Sequence, residues 1–584
     1  MTGDLSKPSG GQPNAADRRP WLFEPQGGEL ARAIADQLNL PPVVAALVAQ
    51  RVDSVAAAEA YLNPRLADLL VPALMAGVEP AARRLTTARV AGELVGVFGD
   101  YDVDGVTSAA LLGDFLEQAG AQVSLRVARR DEGYGFSTAQ ADEMRQRGCK
   151  VVVLTDCGTS DLEAVSHLAQ HGIDVIAVDH HRLDDSADSW PGLALINPHQ
   201  PSCGFEERAL CSAGLAFYLA AVLRRQLQQA GLDAPDPRLS LDLVALGTLA
   251  DVAELSPNNR ILVRYGLEQI ARTRRPGLQE LLRLAELDGK RLRADDVGWR
   301  LGPRLNAPGR LGDAGIALEA LYLRDEIEAT ERARRCHAIN EERKAVQRQI
   351  FEQAREQADR RADDPFCLVA DDGWHPGVIG IVASKLAETY GRPAAVIAWE
   401  GDRGRASARS VPGVDLFALL AACSEHLLRF GGHAAAAGFS IRRENLEAFR
   451  TALCQATAPR LVEVGQAPVR IQLEVELRDV DQGLLGQLER LEPFGNGNPQ
   501  PTFSARQVTV DRVRRVGQDH LGLVLRQGDS VRHAIGFQMA DQEPAVGAAL
   551  DIAFVPEIDS YYGPRLRLRL VALRPAETRP TGDL

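Results

Sequence analysis

Short apolar runs alternate with helical patterns between about residue 90 and residue 180. The strand candidates are LVGVF (94–98), VSLRV (123–127), VVVLT (151–155) and VIAV (175–178). Amphipathic segments such as TSAALLGDFLEQAG lie between them, and this alternation is typical of βαβ units. We therefore predict an α/β domain with a parallel sheet, followed by a helix over SLDLVALGTLAD (240–251).

The stretch from Ile316 to Asp364 contains no glycine or proline and is charged throughout. An apolar line at Ile339, Val346, Ile350 and Ala354 runs along it. This pattern predicts one long, mostly exposed helix that joins two domains. A coiled-coil dimer arm is the alternative, but the apolar stripe is thin and short, and we expect a monomer.

A second α/β pattern begins at FCLVA (366–370) and ends near an alanine-rich helix at 444–457. After ERLEPFGNGNPQPTF (489–503), alternating short strands separated by turns predict a small all-β barrel. The predicted fold class is therefore two α/β domains joined by a long helix, plus a C-terminal barrel. We assign an N-terminal arm and lead-in to 1–50, the first α/β domain to 51–320, the connecting helix to 321–364, the second α/β domain to 365–460 and the barrel to 461–584.

The composition is ordinary for a soluble multidomain protein: 584 residues, 45% hydrophobic and 25% charged. No uninterrupted apolar run approaches the ~20 residues that a membrane span needs. The first twenty residues are polar and rich in glycine and proline, which favours a disordered arm over a signal peptide. Eight scattered cysteines without a CxxC pair argue against a zinc cluster or a disulfide framework and fit a reducing cytoplasm.

The formal net charge of −13 hides local basic segments. Residues 270–310 hold ten basic and five acidic side chains, and residues 501–575 hold ten arginines and eight acidic side chains. The overall acidity therefore does not exclude a polyanionic substrate.

Acidic and imidazole side chains follow three of the predicted strands. Asp100, Asp102 and Asp104 follow the first run, Asp156 follows VVVLT, and Asp179, His180 and His181 follow VIAV, while Asp251 closes the predicted helix. Singly, each is explained by a helix cap, a polar loop or an exposed helix end. Because the carboxyl ends of parallel strands share one crevice, their joint placement favours a single site.

These residue types suit a pair of divalent cations. Two such ions ~3.5–4 Å apart need bridging carboxylates to offset their repulsion, and together they can clamp a phosphoryl group. Oxygen ligands with one imidazole favour Mn²⁺ or Mg²⁺ over zinc, and the histidine tilts the choice towards Mn²⁺.

Five motifs in a fixed order resemble a known superfamily. GDYDVDGVTS, TDCGTS, VDHHRLDD and LGTLAD are similar to the four motifs of the DHH phosphoesterases, and GGHAAAAGFS (431–440) is similar to the glycine-rich motif of the associated DHHA1 domain. With PFGNGNP and the β-rich C-terminal part, residues 60–575 resemble the RecJ family of single-strand-specific exonucleases.

The resemblance implies metal ligation by Asp102, Asp104, Asp156, His180 and Asp251. It further implies that Asp179 orients the ligands and that His181 lies near the scissile phosphate. We expect Asp100 to contact the ligand side chains rather than the metal. Many smaller DHH enzymes carry a metal-binding histidine at the position of Phe98. We interpret Cys157, next to Asp156, as a buried side chain that only fills space in the core. We expect metal-assisted hydrolysis without a protein nucleophile.

Two basic segments are candidates for the DNA path. RVARRDEGYGFS (126–137) brings Arg129 near Tyr134, which either stacks on a base or only closes a turn. RLGPRLNAPGRLG (300–312) offers Arg300, Arg304 and Arg310 among glycines and prolines, a composition that predicts a loop. The resemblance implies that this segment contacts the phosphate backbone.

Two further segments are candidates for binding phosphate. In GRASARS (404–410), alternation would place Arg405, Ser407 and Arg409 on one face of an extended stretch, and the resemblance implies a pocket for a terminal 5′-phosphate; a solvated charged face is the alternative. In GGHAAAAG, we expect Gly431, Gly432 and His433 at a helix start that meets an anion, with glycine packing alone as the alternative.

The predicted barrel resembles an OB-fold. Its arginines at 506, 512, 514, 515, 526 and 532 could track a single strand, and Phe503, Phe537, Tyr561 and Tyr562 are candidate stacking residues.

The resemblance thus implies a 5′→3′ exonuclease that releases mononucleotides from single-stranded DNA, uses Mn²⁺ or Mg²⁺, and acts in repair and recombination in the cytoplasm with a helicase and a single-strand-binding protein. An oligonucleotide or cyclic-dinucleotide phosphodiesterase of the same superfamily and a non-enzymatic replication scaffold are the alternatives.

Overall fold

The computed structural model describes residues 19–133, 135–183, 190–463, 468–559 and 565–576. These residues form two compact units. The α/β unit contains Arg65–Val464 and Pro493–Asn498, and the barrel unit contains the described residues of 1–64, 465–492 and 499–584.

The barrel unit begins with one strand and three helices. They are β1 (Trp21–Phe23), α1 (Gly28–Leu38), α2 (Pro42–Ala49) and α3 (Val55–Leu62). The Tyr61 hydroxyl donates to the Leu491 carbonyl at 3.2 Å, and the Gln50 side chain donates to the Gln472 carbonyl at 2.9 Å. Residues 51–64, which the sequence pattern assigned to the first α/β domain, therefore pack within the barrel unit.

The first sheet of the α/β unit is entirely parallel. Its strands are β2 (Leu94–Gly99), β3 (Gln122–Val127), β4 (Val151–Thr155), β5 (Asp174–Val178) and β6 (Ala194–Ile196), in the order β3-β2-β4-β5-β6. The helices of this region are α4 (Val78–Ala91), α5 (Val103–Gln118), α6 (Thr138–Gln146) and α7 (Leu162–Gln170). The predicted parallel sheet is confirmed, and the three-residue strand β6 adds to it.

A run of helices follows the first sheet. They are α8 (Ser212–Gln229), α9 (Leu241–Ala250), α10 (Pro257–Ala271), α11 (Pro276–Leu284), α12 (Ala294–Asp296), α13 (Gly302–Leu311), α14 (Gly315–Tyr322) and α15 (Glu326–Asp359). The prediction of a loop over 300–312 is wrong, because a π-helical turn (Val297–Leu301) leads directly into α13. The helix forms although Pro303 lies in its first turn and Pro308 lies inside it.

The helix predicted over 321–364 is α15 (Glu326–Asp359), which begins five residues later than predicted. The chain breaks at 323–325, where the Asp325 side chain accepts hydrogen bonds from the amides of Ile327 and Glu328 and caps α15. The helix α15 joins the two domains, because Ala333 and Cys336 pack into the core of the first domain while Ile350 and Ala354 pack into the core of the second.

The second sheet of the α/β unit is mixed. It contains β7 (Cys367–Asp371), β8 (Ala394–Glu400), β9 (Arg403–Arg409), β10 (Leu427–Gly432) and β11 (Ala436–Arg442), in the order β10-β11-β9-β8-β7. The helices α16 (Ile379–Tyr390), α17 (Leu416–Ala422) and α18 (Leu446–Glu463) belong to this region. Only β7 and β8 are parallel neighbours in this sheet.

The C-terminal part of the barrel unit closes on itself. It contains β12 (Val469–Ile471), β13 (Leu473–Glu474), α19 (Gln482–Leu488), β14 (Phe503–Val516), β15 (His520–Gln527), β16 (Ser530–Gly536), β17 (Ala549–Asp559) and β18 (Arg565–Pro575). Strands β14-β15-β16-β18-β17 pair in that order, and β17 pairs back to β14, so the predicted barrel is confirmed. Among the described residues, no helix has the length and apolar character needed to cross a bilayer.

A buried ion network ties the helices of the first domain together. The Arg275 guanidinium lies 3.1 Å from Asp114 and 3.3 Å from Asp242, and it donates to the Leu321 carbonyl at 3.0 Å. Both carboxylates are buried. This one side chain therefore connects α5, α9 and the end of α14.

We expect Arg275→Ala to lower the free energy of unfolding of the α/β unit by about 3 kcal/mol, because the substitution leaves two buried carboxylates without their shared partner. Urea titrations monitored by circular dichroism measure this change. Arg324→Ala is the matched control, since Arg324 also pairs with Asp114 but is 63% exposed, and an exposed partner contributes about 1 kcal/mol or less. Equal losses in the two variants would contradict the proposed role of burial.

Candidate metal centre and substrate-binding surfaces

The candidate metal ligands lie at the carboxyl edge of the first sheet. Asp100 and Asp102 follow β2, Asp156 follows β4, and His180 follows β5. These three strands are hydrogen-bonded neighbours, so their ends meet at one edge. Residues separated by about eighty positions in the chain thus come together.

The first turn of α5 fixes two of the aspartates. Asp102 is the N-cap of α5, and its side chain accepts from the amides of Asp104 at 2.9 Å and Gly105 at 3.1 Å. A Cβ at position 105 would lie 2.5 Å from the Asp100 carbonyl oxygen, so only glycine lets α5 start this close to the strand end. The GDYDVDG motif therefore encodes a tight strand-to-helix turn.

The side chain of Asp104 is fully buried and held by the start of another helix. Its Oδ2 accepts from the Ser212 amide at 2.7 Å, and its Oδ1 accepts from the Ala213 amide at 2.9 Å. These amides belong to the first turn of α8, whose dipole also favours a negative charge.

Asp156 adopts a left-handed backbone conformation with φ of 61°, which is uncommon for a non-glycine residue. Its Oδ1 lies 3.2 Å from His180 Nε2 and accepts from the Ser212 hydroxyl at 3.3 Å. Ser212 thus supports both Asp104 and Asp156. Ser212 was not among the predicted site residues, because no motif in the sequence analysis includes it.

Three overlapping groups of side chains could each hold a metal ion. Within each group the ligand atoms lie within 4.8 Å of one another, and the groups are Asp156–His180–His181, Asp104–His180–Asp251 and Asp100–Asp102–Asp156. All five residues that the resemblance implied as ligands are therefore members of at least one group. Asp100, which we expected to stand behind the ligands, is a member as well.

Asp251 enters this site from a helix rather than from the sheet. It is the C-cap of α9, and its Oδ2 lies 4.0 Å from His180 Nε2. Its side chain is 27% exposed, whereas those of Asp104 and Asp156 are almost fully buried.

Asp179 and His181 form a tight pair beside these groups. Asp179 Oδ1 lies 2.7 Å from His181 Nδ1 and accepts from the His181 amide at 3.1 Å, while its Oδ2 accepts from the Thr159 amide at 3.0 Å. Burial acts to raise the pKa of Asp179, but its bonds with His181 hold that pKa below the usual range. Burial acts to lower the pKa of His181, and Asp179 overcomes this and raises it to about 9.

The remaining carboxylates oppose one another's ionisation. Burial and the charge of Asp102 raise the pKa of Asp100 to about 7, and burial and the charge of Asp104 raise that of Asp251 to about 8. Burial and the charge of Asp102 also raise the pKa of Asp156 well above its ordinary value. A divalent cation would remove this repulsion.

The donor set fits such a cation. The Oδ1 atom of Asp100 is buried and has no hydrogen-bond partner among the described residues, as expected for a ligand atom directed at an ion. Carboxylate oxygens with one imidazole are the ligands that Mn²⁺ and Mg²⁺ accept.

Two neighbouring side chains belong to the core instead. Phe98 is fully buried and packs edge-to-face on Phe136, with ring centroids 4.9 Å apart. Cys157 is buried, and burial raises the pKa of its thiol well above the ordinary value, which fits its interpretation as filler.

Arg310 lies where the two α/β domains meet. Its guanidinium Nη1 lies 3.5 Å from the Gly377 carbonyl of the second domain. Burial and the nearby charges of Arg130 and Arg343 lower the pKa of Arg310 to about 10. The charges of Asp102 and Arg409 also act on the pKa of Arg310, so Arg310 is in the neighbourhood of both residues.

The other basic candidates of the first domain differ in what their side chains contact. Arg304 donates to the carbonyls of Arg300 at 2.5 Å and Leu284 at 3.4 Å, so its guanidinium is engaged with the end of α11. Arg300 donates to the Ala285 carbonyl in the same region. Arg129 is exposed and lies 3.4 Å from Asp131, and Tyr134 lies outside the described residues.

Strand β9 presents a polar face, as predicted. Arg405, Ser407 and Arg409 alternate with the buried Ala406 and Ala408. The Arg409 guanidinium donates to the Ser407 hydroxyl at 3.1 Å. A Cβ at Gly380, in the first turn of α16, would lie 3.0 Å from that hydroxyl oxygen and 3.3 Å from Arg409 Nη2, so a helix start adjoins both side chains.

The glycine-rich motif is a hairpin, and the expectation of a helix start there is wrong. Gly431 and Gly432 end β10, the His433 amide donates to the Ala436 carbonyl at 2.9 Å, and β11 follows. A Cβ at Gly432 would lie 2.5 Å from the Ala436 carbonyl oxygen, which requires glycine for the tight turn. All three predicted residues are exposed and are available to a ligand.

In the barrel unit, the candidate aromatic residues divide into core and surface. Phe503 is buried against Phe554, whereas Phe537 is 49% exposed beside His520. Tyr561 and Tyr562 lie outside the described residues. Three of the barrel arginines pair with acidic side chains on the same unit: Arg506 with Glu474, Arg515 with Glu543 and Arg526 with Asp511.

Family models match three regions of the chain. The model for the DHH family, N-terminal domain, matches residues 94–248, the DHHA1 domain model matches 363–458, and the RecJ OB domain model matches 471–571. These regions coincide with the parallel sheet, the mixed sheet and the barrel.

Known proteins resemble nearly the whole chain. The single-stranded-DNA-specific exonuclease RecJ of Bacillus subtilis is 32% identical over 552 residues, which cover 93% of this chain and 69% of that protein. The crystal structure of RecJ in complex with Mn²⁺ from Thermus thermophilus matches with a TM-score of 0.82 at 28% identity, covering 97% of this chain and 81% of that chain. The structure of RecJ in complex with Mg²⁺ from the same organism matches with a TM-score of 0.75 at 27% identity, covering 96% and 79%. The chain therefore belongs to the RecJ family.

Proposed function

We propose that this chain is a metal-dependent exonuclease specific for single-stranded DNA, which hydrolyses phosphodiester bonds from the 5′ end and releases mononucleotides. The observation that carries the proposal is the convergence of Asp102, Asp104, Asp156, His180 and Asp251 on shared ligand positions. Relatives that carry the single-stranded-DNA-specific exonuclease name, and a related structure with Mn²⁺, support it.

Two Mn²⁺ or Mg²⁺ ions would be held by these five side chains, with Asp100 as a further ligand. Bound there, the ions would supply Lewis acidity for the phosphoryl group and acidity for the attacking water. The chain's own residues provide the frame: amides of α5 and α8 fix Asp102 and Asp104, and Asp179 holds the His181 ring. A charged His181 at the edge of this site would stabilise the phosphate that is cleaved.

The polar face of β9 supports attack from the 5′ end. Ser407, Arg409 and the start of α16 present a hydroxyl, a guanidinium and helix amides in one place, and this is a suitable set for a terminal phosphate. Arg310, whose pKa responds to both Asp102 and Arg409, would contact a phosphate of the same strand. Gly431, Gly432 and His433 would line the path of the same strand, together with Arg129, Tyr134 and Arg304.

The barrel would track the single strand with its arginines and the exposed ring of Phe537. In the cell, we infer a cytoplasmic enzyme of DNA repair and recombination that acts with a helicase and a single-strand-binding protein.

A time course with end-labelled strands tests the proposal directly. With Mn²⁺ present, a 5′-labelled single strand is expected to release labelled mononucleotide at once, whereas a 3′-labelled strand shortens progressively. Blunt duplex is the control substrate and should resist degradation. Release from the 3′ label first would overturn the polarity, and no release from either label would overturn the nuclease assignment.

Asp156→Asn is expected to reduce kcat by at least about a thousandfold, equivalent to ~4 kcal/mol, because the ligand charge is lost while the shape is kept. Single-strand binding, measured by fluorescence anisotropy, should change less than threefold. Asp142→Asn is the control, since Asp142 pairs with His167 outside this site. Full activity of Asp156→Asn would contradict the metal assignment.

Arg409→Ala is expected to reduce the preference for a 5′-phosphate over a 5′-hydroxyl end by about tenfold, because one charge-assisted hydrogen bond contributes ~1.4 kcal/mol or more. The measurement is the ratio of kcat/KM for the two substrates. Arg403→Ala is the control on the same strand, at its exposed opposite end. A ratio that is unchanged in Arg409→Ala would show that the phosphate is bound elsewhere.

A further inference from the structure

Basic side chains lie at both ends of the carboxyl edge of the first sheet. The strand order β3-β2-β4-β5-β6 places β2, β4 and β5, which precede most of the candidate metal ligands, in the middle of this edge. Arg129 and Arg130 follow β3 at one end, and Arg130 donates to the Gly309 carbonyl of α13 at 2.9 Å. The segment that follows β6 lies at the other end, four strand spacings or about 19 Å away. The proposed function involves only the first of these ends.

The segment that follows β6 is tied to the metal site through Asn197. The buried Asn197 side chain donates to the His181 carbonyl at 2.8 Å and accepts from the His199 amide at 2.9 Å. The two strand ends are joined as well, because the Asp179 amide donates to the Ile196 carbonyl at 3.0 Å. The backbone of His199 is therefore held in a fixed position beside the end of β5.

Two arginines accompany His199. Arg208 Nη1 donates to the Pro198 carbonyl at 3.0 Å, directly before His199 in the chain, and Arg182 follows the end of β5. Burial and the charges of Arg208, His180 and Arg182 lower the pKa of His199, so these side chains are in one neighbourhood. Arg182, His199 and Arg208 thus form a basic flank of the metal site.

The two charges of the basic flank are not neutralised within the described part of the chain. Arg182 and Arg208 are exposed, and neither forms an ion pair with a carboxylate of a described residue. Glu207, the neighbour of Arg208, accepts from the Ala209 amide at 3.0 Å instead. Cations of this kind beside a site for phosphodiester hydrolysis are suited to further phosphates of the substrate.

We propose that Arg182, His199 and Arg208 bind the phosphates that follow the scissile one, so that the uncleaved part of the single strand leaves the metal centre across the end of β6. The proposal rests on the proposed function, in which the face of β9 binds the terminal 5′-phosphate. It adds a binding site for the 3′ side of the scissile bond.

The sheet order supplies the direction of the strand. Arg310 is in the neighbourhood of Arg409 on β9 and of Arg130, which joins the end of β3 to α13. The 5′ end of the strand therefore lies towards β3. The part beyond the scissile bond has to leave on the other side of the metal ligands, and the basic flank is the cationic surface on that side.

The test is a thermodynamic cycle between one charge of the protein and one charge of the DNA. Single strands with a 5′-phosphate carry one uncharged methylphosphonate linkage at the second, third, fourth or fifth position from the 5′ end. Fluorescence anisotropy measures their binding to the full chain with Mn²⁺ present, in the Asp156→Asn background to prevent cleavage. With Arg208 intact, one of these linkages is expected to weaken binding by about fivefold, the scale of one charge-assisted hydrogen bond. In Arg208→Ala the same linkage should change the affinity by less than about twofold, because its partner is already absent.

Arg225→Ala is the matched control for this cycle. It removes the same charge from the same domain, but Arg225 pairs with Glu79 and lies about 20 Å along α8 from Ser212, so the full effect of the linkage should remain. An effect that is equally large with and without the Arg208 side chain, at every linkage, would overturn the proposal.

The salt dependence of binding provides a second test. Arg182→Ala is expected to reduce the slope of log Kd against log salt concentration by about 0.7, as for the loss of one phosphate contact on a single strand. An unchanged slope would remove Arg182 from the basic flank. Because these measurements need no cleavage, a wild-type chain that releases no nucleotide with Mn²⁺ would overturn the proposed function separately.

Discussion

The mutual repulsion of carboxylates at the end of the parallel sheet is the constraint on which the rest of the α/β unit depends. Asp100, Asp104 and Asp156 are buried with little solvent to screen them, and burial and neighbouring charge raise their pKa values. A fold that places these groups so close together loses stability unless something offsets the repulsion. Bound cations would offset it, and the amides of α5 and α8 offset part of it without them.

The secondary structure around the site follows from this constraint. Two helices begin at the site and direct their positive ends at Asp102 and Asp104. Gly105 lets one of these helices start in contact with the strand end, and Ser212 connects Asp104 to Asp156. The small residues Gly105 and Ser212 are therefore needed because backbone and carboxylate groups must approach each other closely at this site.

The sequence predicted the regular parts of the fold because strand periodicity and turn residues are local signals. The runs that became β2, β4 and β5, and the ligands at their ends, needed no tertiary information. The sequence did not predict the helix over 302–311, because tertiary packing overrides the tendency of its prolines to interrupt a helix. It also did not predict the break at 323–325, where the Asp325 side chain caps the helix that follows. The hairpin at Gly431–Gly432 was missed because small residues fit a tight strand turn as well as a helix start. The association of residues 51–64 with the barrel unit depends on contacts such as that of Tyr61 with Leu491, which no local pattern encodes.

The site itself divides into ligands fixed by the sheet and ligands fixed by helices. Asp156 and His180 inherit their positions from β4 and β5, whose buried strands leave little freedom. Asp251 is the C-cap of α9, where its backbone is still helical and its amide bonds the Gly247 carbonyl, so the helix fixes its direction. Asp104 lies in the first turn of α5 and is held by the amides at the start of α8. The strand ends thus supply one part of the ligand set and three helices supply or hold the other, so metal binding depends on how α5, α8 and α9 pack together in the core of the first domain.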